Sequence, residues 1–410
     1  MKFNHHSPSN DPATSPPPVI RLTTLLLALV TFSSMCAQRV CDAMLPELAR
    51  VFSAPVADAA RAISWFAITY GLMQLVYGPI GDRWGKYRVI VWATWGCALG
   101  CALSAISAQL DWLVAARMLT AMAAAAIIPL SLAWVGDAVD YSVRQETLAR
   151  VGLGTMLGIA GGQLFGGLMS DTLGWRWAFG WLAVLFLAVG WRLQRQARVL
   201  PAPQRVGEDA PSFVGQLRLV AQDAWARRLL GIALLEGGLV FGTMAIAATH
   251  LHTVHGVSLT TAGSTTALFG VGGMLYMATA KWAIRRFGEI GLARWGGSLM
   301  GVCFGVLALT PWWPLAAPAC LLAGFGFAMF HNTMQAKATQ MVPTARATGV
   351  TLFAGFLFWG QSLGVVMLAQ GMALWSSGTV IALVAVSVMG LGWLFARAIV
   401  HRNATQADHA

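Results

Sequence analysis

Long stretches without a charged residue alternate with short polar segments along the whole chain. In the first half these stretches cover residues 22–38, 62–81, 89–110, 118–136, 151–170 and 177–191. In the second half three longer stretches cover residues 237–280, 295–336 and 347–396, and turn-forming segments at 250–261, 311–314 and 375–378 divide them. Because a membrane-crossing helix needs about 20 apolar residues, the pattern predicts six helices in each half, which we number spans 1 to 12.

The spacing of these stretches predicts an all-α membrane protein, with twelve transmembrane helices in two pseudo-symmetric six-helix bundles. We expect a disordered cytoplasmic tail over 1–21, one bundle over 22–194, a linker over 195–228, a second bundle over 229–399 and a cytoplasmic tail over 400–410. Apolar residues stand among basic ones between 212 and 228, which favours an amphipathic helix on the membrane surface. A plain basic linker is the alternative.

Composition excludes the soluble classes of protein. Hydrophobic residues make up 57% of the 410 residues and charged residues only 10%, whereas a soluble chain carries about a quarter charged residues. The net charge of +11 would suggest nucleic acid in a soluble protein, but basic residues accumulate in the cytoplasmic loops of membrane proteins. With the N-terminus inside, 22 of the 27 Lys and Arg residues lie on the inner side. We therefore expect a multi-pass inner-membrane protein in contact with lipid, with both termini cytoplasmic and no nucleic-acid partner.

An internal repeat relates the two halves. Arg150 and the segment Gly-Gln-Leu-Phe-Gly at 162–166 are echoed by Arg346 and Gly-Gln-Ser-Leu-Gly at 360–364. The segment Asp-Arg-Trp-Gly at 82–85 is echoed, without its acid, by Arg-Arg-Phe-Gly at 285–288. Both echoes lie about half a chain length apart, and a duplicated bundle is an architecture of secondary transporters.

The loop between spans 2 and 3 carries the most specific sequence pattern. Its glycines allow two helices to cross closely, and an acidic side chain there can face a helix N-terminus or an arginine as a latch. The defining positions are Gly78, Gly81, Asp82, Arg83, Gly85, Lys86 and Arg88. This pattern resembles the signature loop of the major facilitator superfamily. The resemblance implies the fold of that family, alternating access to a midplane cavity, and a contact between Asp82 and the start of span 11 near residues 344–346.

Three further segments extend the resemblance over the membrane portion of the chain. Residues 117–120 in span 4 resemble the buried-arginine motif of the family, although Ala121 stands where glycine is usual. Residues 174–179 before span 6 resemble a common outer-loop sequence. The glycines of span 5 resemble the signature of the drug:proton antiporter branch, with Gln163 in place of its proline. These helix-packing glycines are Gly158, Gly162, Gly166 and Gly167.

Charged residues inside the predicted spans need an explanation, because a charge in the bilayer is energetically expensive. Arg39 and Asp42 in span 1 and Arg117 in span 4 are predicted to share one depth. The placement of Asp42 before Pro46 resembles span 1 of multidrug exporters, in which an acid faces the central cavity. We interpret the three charges as a cavity wall that exchanges protons or orients substrate. A permanent structural ion pair is the alternative.

Glu236 in span 7 is predicted to lie about 12 Å inside the inner end of its helix. No basic residue is expected to face it at that depth, so the sequence favours a proton carrier over the alternative, a glutamate that reaches for the inner interface. Polar residues within other spans are expected to line the cavity or to bond across helices. These candidates are Gln163, Gln361, His331 and Asn332.

The remaining candidate chemistry is weak. His250, His252 and His255 are expected in the outer loop after span 7, without the acidic residue that would anchor a metal ion. The six cysteines lie in apolar stretches without disulfide or zinc spacing. No phosphate-binding glycine loop and no catalytic pattern appears. We therefore expect neither a metal, nor a cofactor, nor an enzyme.

The sequence favours a monomeric secondary active transporter that moves a small organic molecule by alternating access. The favoured function is proton-coupled efflux of a drug-like substrate. Proton-linked uptake of a metabolite is the alternative within the same fold, and the replacement of the signature proline by Gln163 supports it. A non-transporting channel or membrane scaffold is the alternative from another class.

Overall fold

The computed structural model describes residues 18–200 and 213–407. The predicted tails and the middle of the predicted linker fall partly or wholly outside these ranges. Within them every regular element is a helix. The all-α prediction is therefore confirmed for the part of the chain that the structure describes.

The first half of the chain, which we call the N-half, contains spans 1 to 6. A single helical turn, Val56–Ala59, separates spans 1 and 2, and Gly85 and Gly174 adopt positive φ angles of 89° and 97° at the turns that follow spans 2 and 5. Such angles suit glycine because it has no Cβ. The helices of the N-half are Pro18–Val51, Arg61–Trp84, Lys86–Ala105, Leu110–Ala124 continued by Ile127–Ala138, Tyr141–Asp171 and Trp175–Ala197.

The second half, which we call the C-half, contains spans 7 to 12 and follows a short linker helix, Phe213–Gln222. Span 7 has three parts, because a π-helical turn, Gly237–Phe241, joins Ala224–Glu236 to Gly242–His255. The helix Leu259–Leu309 comprises spans 8 and 9, which meet at Gly288 with a non-helical φ of 60° and ψ of 176°. Spans 10 to 12 are Ala316–Ala338, Arg346–Leu374 and Ser377–Ala407, and the 3₁₀ turns Trp313–Leu315 and Pro343–Ala345 precede spans 10 and 11.

These helices account for the predicted number of spans. Ten helices of the described residues are long and apolar enough to cross a membrane. One of the ten is the helix that breaks at Gly288 and counts twice, and Arg61–Trp84 adds a further helix of 24 residues. The result is the twelve helices that the hydrophobic pattern predicts.

The two halves repeat the same close packing of helices. A Cβ on Gly162 of span 5 would lie 2.6 Å from the carbonyl oxygen of Cys36 in span 1, and Gly360 of span 11 contacts the carbonyl oxygen of Leu234 in span 7. Adding 198 to both residue numbers of the first contact gives the second contact. Gly166 on Val40 and Gly364 on Gly238 obey the same shift. Spans 1 and 5 therefore form a pair that spans 7 and 11 repeat.

The halves meet along a seam that runs from the ends of the helices that are predicted to lie outside into the middle of the helices. Asp171 at the end of span 5 accepts hydrogen bonds from the Thr260 amide at 2.6 Å, the Thr260 hydroxyl at 2.7 Å and the Leu259 amide at 3.3 Å, all at the start of span 8. Tyr70 of span 2 packs at a tilt against Phe358 of span 11 with ring centroids 4.3 Å apart. The structure therefore joins the halves through spans 5 and 8 and through spans 2 and 11.

Candidate functional site

Arg39 and Asp42 form a buried ion pair on span 1. Each residue is 1% exposed, and Nη1 of Arg39 lies 3.4 Å from Oδ2 of Asp42. Nε of Arg39 and Oδ1 of Asp42 have no hydrogen-bond partner among the described residues. The guanidinium also lies over the ring of Phe241 in span 7, 4.2 Å from its centroid. The pair is therefore loosely bonded and stands where the two halves meet.

The glycines of span 5 bring this helix against the charged pair. Gly158 contacts Phe32 of span 1, and a Cβ on Gly162 would lie 2.9 Å from Cβ of Arg39. The contact places Gln163 beside Asp42, yet neither end of the Gln163 amide has a hydrogen-bond partner in the described chain. A cluster of buried polar atoms without partners requires a physical reason.

Gly154 and Gly167 complete the glycine contacts of span 5. Gly154 contacts the carbonyl oxygen of Ala28, so contacts with span 1 recur every four residues from 154 to 166. Gly167 turns instead toward the carbonyl oxygen of Leu259 in span 8. The sequence analysis missed Gly154, which the regular spacing of the others could have indicated.

Arg117 is fully buried but bonds differently from Arg39. Its guanidinium donates to the backbone carbonyls of Ala37, of Gln38 at 3.3 Å and of Ala62 at 3.3 Å. It also lies over the ring of Phe66, 4.1 Å from the centroid. Arg117 therefore ties span 4 to spans 1 and 2 and is not bonded to Asp42.

Asp111, which stands at the outer end of span 4, does not bond Arg117 either. Its carboxylate accepts from Arg61 at 2.7 Å, and both side chains are largely exposed. Only two of the three charges that were predicted to form a cavity wall are therefore paired with each other. The third charge, Arg117, donates to backbone carbonyls of spans 1 and 2. A sequence pattern does not show such contacts with the backbone.

Gln361 of span 11 connects the halves through a residue that the sequence analysis did not select. Nε2 of Gln38 in span 1 donates to Oε1 of Gln361 at 3.3 Å, and both residues are 1% exposed. Gln38 could have been found from the repeat, because the shift of 198 positions relates it to Glu236 just as it relates Gln163 to Gln361.

Glu236 faces a histidine, so the expectation that no basic residue faces it is wrong. Nδ1 of His331 in span 10 lies 3.0 Å and 3.2 Å from the two carboxylate oxygens. The Glu236 side chain has no exposed surface, whereas that of His331 is 17% exposed. A contact between residues 95 positions apart depends on how two helices pack, which residue spacing along one helix does not show. The neighbouring Asn332 is exposed.

Aromatic rings connect the two buried acidic sites. Phe241, which lies under Arg39, packs edge-on against Phe327 with centroids 5.1 Å apart. Phe327 stacks on the ring of His331 at 4.9 Å, and Phe353 covers that ring at 5.5 Å. A continuous series of contacts therefore runs from Arg39 to His331.

The loop between spans 2 and 3 does not make its expected contact with span 11. The Asp82 carboxylate lies 3.6 Å from Lys86, which also bonds Asp137 at 2.5 Å, and Asp82 is 55% exposed. No hydrogen bond or ion pair between Asp82 and residues 344–346 is present in the described chain. The hydrogen bonds of Asp171 join the halves at the opposite end of the helices. Of its glycines, Gly81 lies against the side chain of Leu130 in span 4, and a Cβ there would lie 2.6 Å from its terminal methyl group.

The three histidines after span 7 are helical, not part of a loop as expected. The helix continues to His255 and ends at Gly256 with a φ of 66°. His250 is buried and hydrogen-bonded to the Ser377 hydroxyl at 2.8 Å and the Leu307 carbonyl at 3.1 Å. It therefore joins spans 7, 9 and 12, and no group of three metal-ligating side chains occurs in the described parts of the chain.

Comparison with known proteins assigns a family to this architecture. The family profile described as Major Facilitator Superfamily matches residues 27–365. The chain is 24% identical over 350 residues to the uncharacterized MFS-type transporter YwfA of Bacillus subtilis, a match that covers 84% of this chain and 79% of the relative. It is 27% identical over 356 residues to the 4-hydroxybenzoate transporter PcaK of Pseudomonas aeruginosa, with coverage of 78% and 75%.

The fold also matches that of solved transporters. A bacterial homologue of the human lysosomal transporter Spinster, in an inward-facing and unoccupied conformation, aligns with a TM-score of 0.72. The alignment covers 94% of this chain and 99% of that protein at 18% identity, a likeness that shows the fold alone.

Proposed function

The chain belongs to the Major Facilitator Superfamily and is a multi-pass membrane transporter of small molecules, and on that premise we propose that it couples the uptake of a small organic anion to the inward flow of protons. The observation that carries the proposal is the buried, loosely bonded pair of Arg39 and Asp42 at the seam of the halves. Membership of a transporter family decides against a channel or scaffold.

The pair can couple substrate to proton, because the Asp42 carboxylate and the substrate anion compete for the guanidinium of Arg39. An ionised Asp42 neutralises Arg39, and a buried arginine without an anion is expensive. When Asp42 takes up a proton, the guanidinium needs another anion, and a substrate carboxylate can accept from Nη1 and from the unpartnered Nε. The anion and the proton therefore stabilise each other's binding, which is the thermodynamic condition for symport.

The charges around the pair favour an anion over a cation as the substrate. Arg39 and Arg117 stand near a single acid, Asp42, and Arg117 is already satisfied by backbone carbonyls. The ring of Phe241 over Arg39 adds an apolar surface for the body of the substrate. The relative PcaK is named as a transporter of 4-hydroxybenzoate, an aromatic carboxylate. We therefore take small aromatic carboxylates as the first substrates to test.

Alternating access completes the proposed cycle. The contacts of Asp171 with span 8 close the end of the protein that is predicted to face outward. Arg39 and Asp42 are buried in this state, so release of substrate and proton requires the predicted cytoplasmic end to open while the contacts of Asp171 hold. Rupture of the seam and closure around the loop that contains Asp82 would expose the site to the other side.

Proton-driven export of a drug-like cation is the second candidate. The glycine contacts of span 5 are those of the exporter-like signature, and Oδ1 of Asp42 is without a partner. A cation that displaced the proton from Asp42 would give antiport. The two candidates therefore differ in the direction of proton flow that accompanies the substrate.

Purified protein in proteoliposomes separates them. With benzoate outside and no gradient imposed, symport carries protons inward and acidifies the lumen faster than in protein-free liposomes, which benzoic acid enters through the lipid, and an enclosed pH dye records the difference. With a lipophilic cation such as tetraphenylphosphonium outside, antiport makes the lumen more alkaline. Proton movement with the cation and none with any aromatic carboxylate would overturn the proposal.

Asp42→Asn tests the residue that carries the proton. This variant should abolish the pH-driven accumulation of benzoate in excess of that in protein-free liposomes, because the amide cannot exchange a proton. Asp111→Asn is the matched control, since Asp111 is an exposed acid paired within the N-half, and it should accumulate benzoate normally. Full accumulation by Asp42→Asn would remove Asp42 from the mechanism.

A further inference from the structure

A second buried acid–base pair lies in the C-half, outside the site that we assign to the substrate. Glu236 is enclosed, and both of its oxygens lie within hydrogen-bonding distance of Nδ1 of His331. Span 7 changes to a π-helical turn directly after Glu236, and such turns occur frequently at functional sites. The repeat places Glu236 where the N-half has Gln38, so this position is titratable in one half only.

Among the described residues, His331 is the ion-pair partner of Glu236, and Arg294 of span 9 lies over the ring of Trp393 in span 12. Span 11 and most of span 12 are free of charge from residue 347 to 396, and Arg397, His401 and Arg402 lie in the last turns of span 12. Lys337 of span 10 is paired with Glu289 at 2.6 Å. Arg218 of the linker helix and Arg228 of span 7 are exposed. Toward span 1, the rings of Phe241 and Phe327 separate the pair from Arg39.

The charge of Glu236 must therefore be balanced by a proton within the pair of Glu236 and His331. With one proton in total it is neutral overall, either as carboxylate with imidazolium or as carboxylic acid with imidazole. Without that proton it holds a negative charge in a site that has no other cation, which burial makes unfavourable. The exposed edge of His331, about 10 Å from the end of span 10 at Ala338, is the place where water can deliver or remove the proton.

We propose that Glu236 and His331 form a second proton-binding site, so that each organic anion is transported with two protons. This inference rests on the proposed symport through Asp42. The loaded protein carries the anion on Arg39, one proton on Asp42 and one on the pair. The empty protein returns with Arg39 and Asp42 paired and with one negative charge on Glu236. One positive charge therefore enters per cycle when the anion is monovalent.

The ring contacts supply a physical route between the two sites. An anion on Arg39 must share space with Phe241, which packs on Phe327, and Phe327 stacks on His331. A shift of Phe241 on substrate binding therefore changes the environment of the imidazole. Substrate occupancy of the N-half and proton occupancy of the C-half are linked through this series.

The number of charges carried per cycle can be measured, and this number tests the inference. In proteoliposomes with benzoate as the probe, a potassium diffusion potential, negative inside, is set with valinomycin at constant pH, and the uptake into protein-free liposomes under the same gradients is subtracted. Transport of one net charge predicts a tenfold rise in the equilibrium accumulation ratio for every 59 mV of potential. At zero potential, two protons predict a hundredfold rise for each pH unit. Accumulation that follows the pH gradient but ignores the potential would overturn the second site and leave the symport intact.

Variants locate the second proton. Glu236→Gln keeps the size of the side chain but holds no exchangeable proton, so its accumulation should rise only tenfold per pH unit and should not respond to potential. Glu289→Gln neutralises a half-exposed acid of the same half and should respond to potential like the wild type. Equal responses of Glu236→Gln and the wild type would show that the second proton binds elsewhere. Wild-type protein that ignores both gradients would overturn the symport, and the second site with it.

Discussion

Arg39 and Arg117 are both buried in the N-half, but they are held in opposite ways. Arg117 donates to three backbone carbonyls that cannot leave. Arg39 has one long contact with a carboxylate and an Nε without a partner. A group that is satisfied by backbone is fixed in every state, whereas a group held by one titratable partner can exchange it. The residue that suits substrate binding is therefore Arg39.

Replacement of Arg117 should affect stability. Arg117→Met removes the donors for three carbonyl groups but keeps much of the packing volume, and we expect a loss of about 1–3 kcal/mol. The measurement is the apparent unfolding temperature of the purified protein in detergent. Arg61→Met, which breaks an exposed ion pair with Asp111, is the control and should lose less than about 1 kcal/mol. Equal unfolding temperatures of Arg117→Met and the wild type would contradict the structural role.

At the level of helices, glycines set the distance between spans 1 and 5 and between spans 7 and 11. In each pair a glycine lies against a backbone carbonyl of the facing helix, as Gly162 does on Cys36 and Gly360 does on Leu234. No other residue allows this approach, because any Cβ would occupy the position of the carbonyl oxygen. The charged pair on span 1 owes its contact with Gln163 to this closeness.

A methyl group at Gly162 should therefore separate the helices. Gly162→Ala places Cβ 2.6 Å from the carbonyl oxygen of Cys36 and 2.9 Å from Cβ of Arg39, and such overpacking costs about 1–3 kcal/mol. Gly231→Ala, in a helix with open space around the position, should be neutral or more stable by up to about 1 kcal/mol. Thermal unfolding compares the two variants, and a Gly162→Ala protein as stable as Gly231→Ala would contradict the packing argument.

The features that could be predicted from the sequence are those that depend on residues close together in the chain. Spans follow from local hydrophobicity, and Arg39 and Asp42 are one helical turn apart, so their pairing is local as well. The contacts of Glu236 with His331 and of Gln38 with Gln361 join distant segments, and only the packed structure brings them together. The contact of Asp82 with span 11 depends on which ends of the two halves are joined. One sequence serves both states of alternating access, so it does not indicate which of them the structure adopts.

For the whole molecule, the seam between the halves determines which side is closed. Three hydrogen bonds end on the single carboxylate of Asp171, and they cap the start of a helix that belongs to the other half. An acidic group at a helix N-terminus is also favoured by the helix dipole. The bonds exist only while the outer ends are together. Asp171 therefore stabilises this one conformation relative to its alternative.

Loss of this carboxylate should shift the population toward the outward-open state. Asp171→Ala removes a contact worth about 1 kcal/mol at an exposed position, which corresponds to roughly a fivefold change in the ratio of the two states. Spin labels at Leu173 and Val254, which are exposed at the ends of the two halves that are predicted to lie outside, should report the change as a larger fraction of long distances. Asp111→Ala, within the N-half, should leave the distance distribution unaltered. An unaltered distribution in Asp171→Ala would contradict the role of the seam.

The glycine contacts also give the molecule leverage. Spans 1 and 5 are too closely packed to slide, so they are expected to tilt together as one beam about a fulcrum near its middle, where Gly158 and Gly162 meet span 1. Span 5 has 31 residues and is therefore roughly 46 Å long. A tilt of about 10° about the middle moves the two ends by about 4 Å in opposite directions. Loss of a few bonds at the Asp171 end is thus converted, by helix length alone, into a movement of the opposite end.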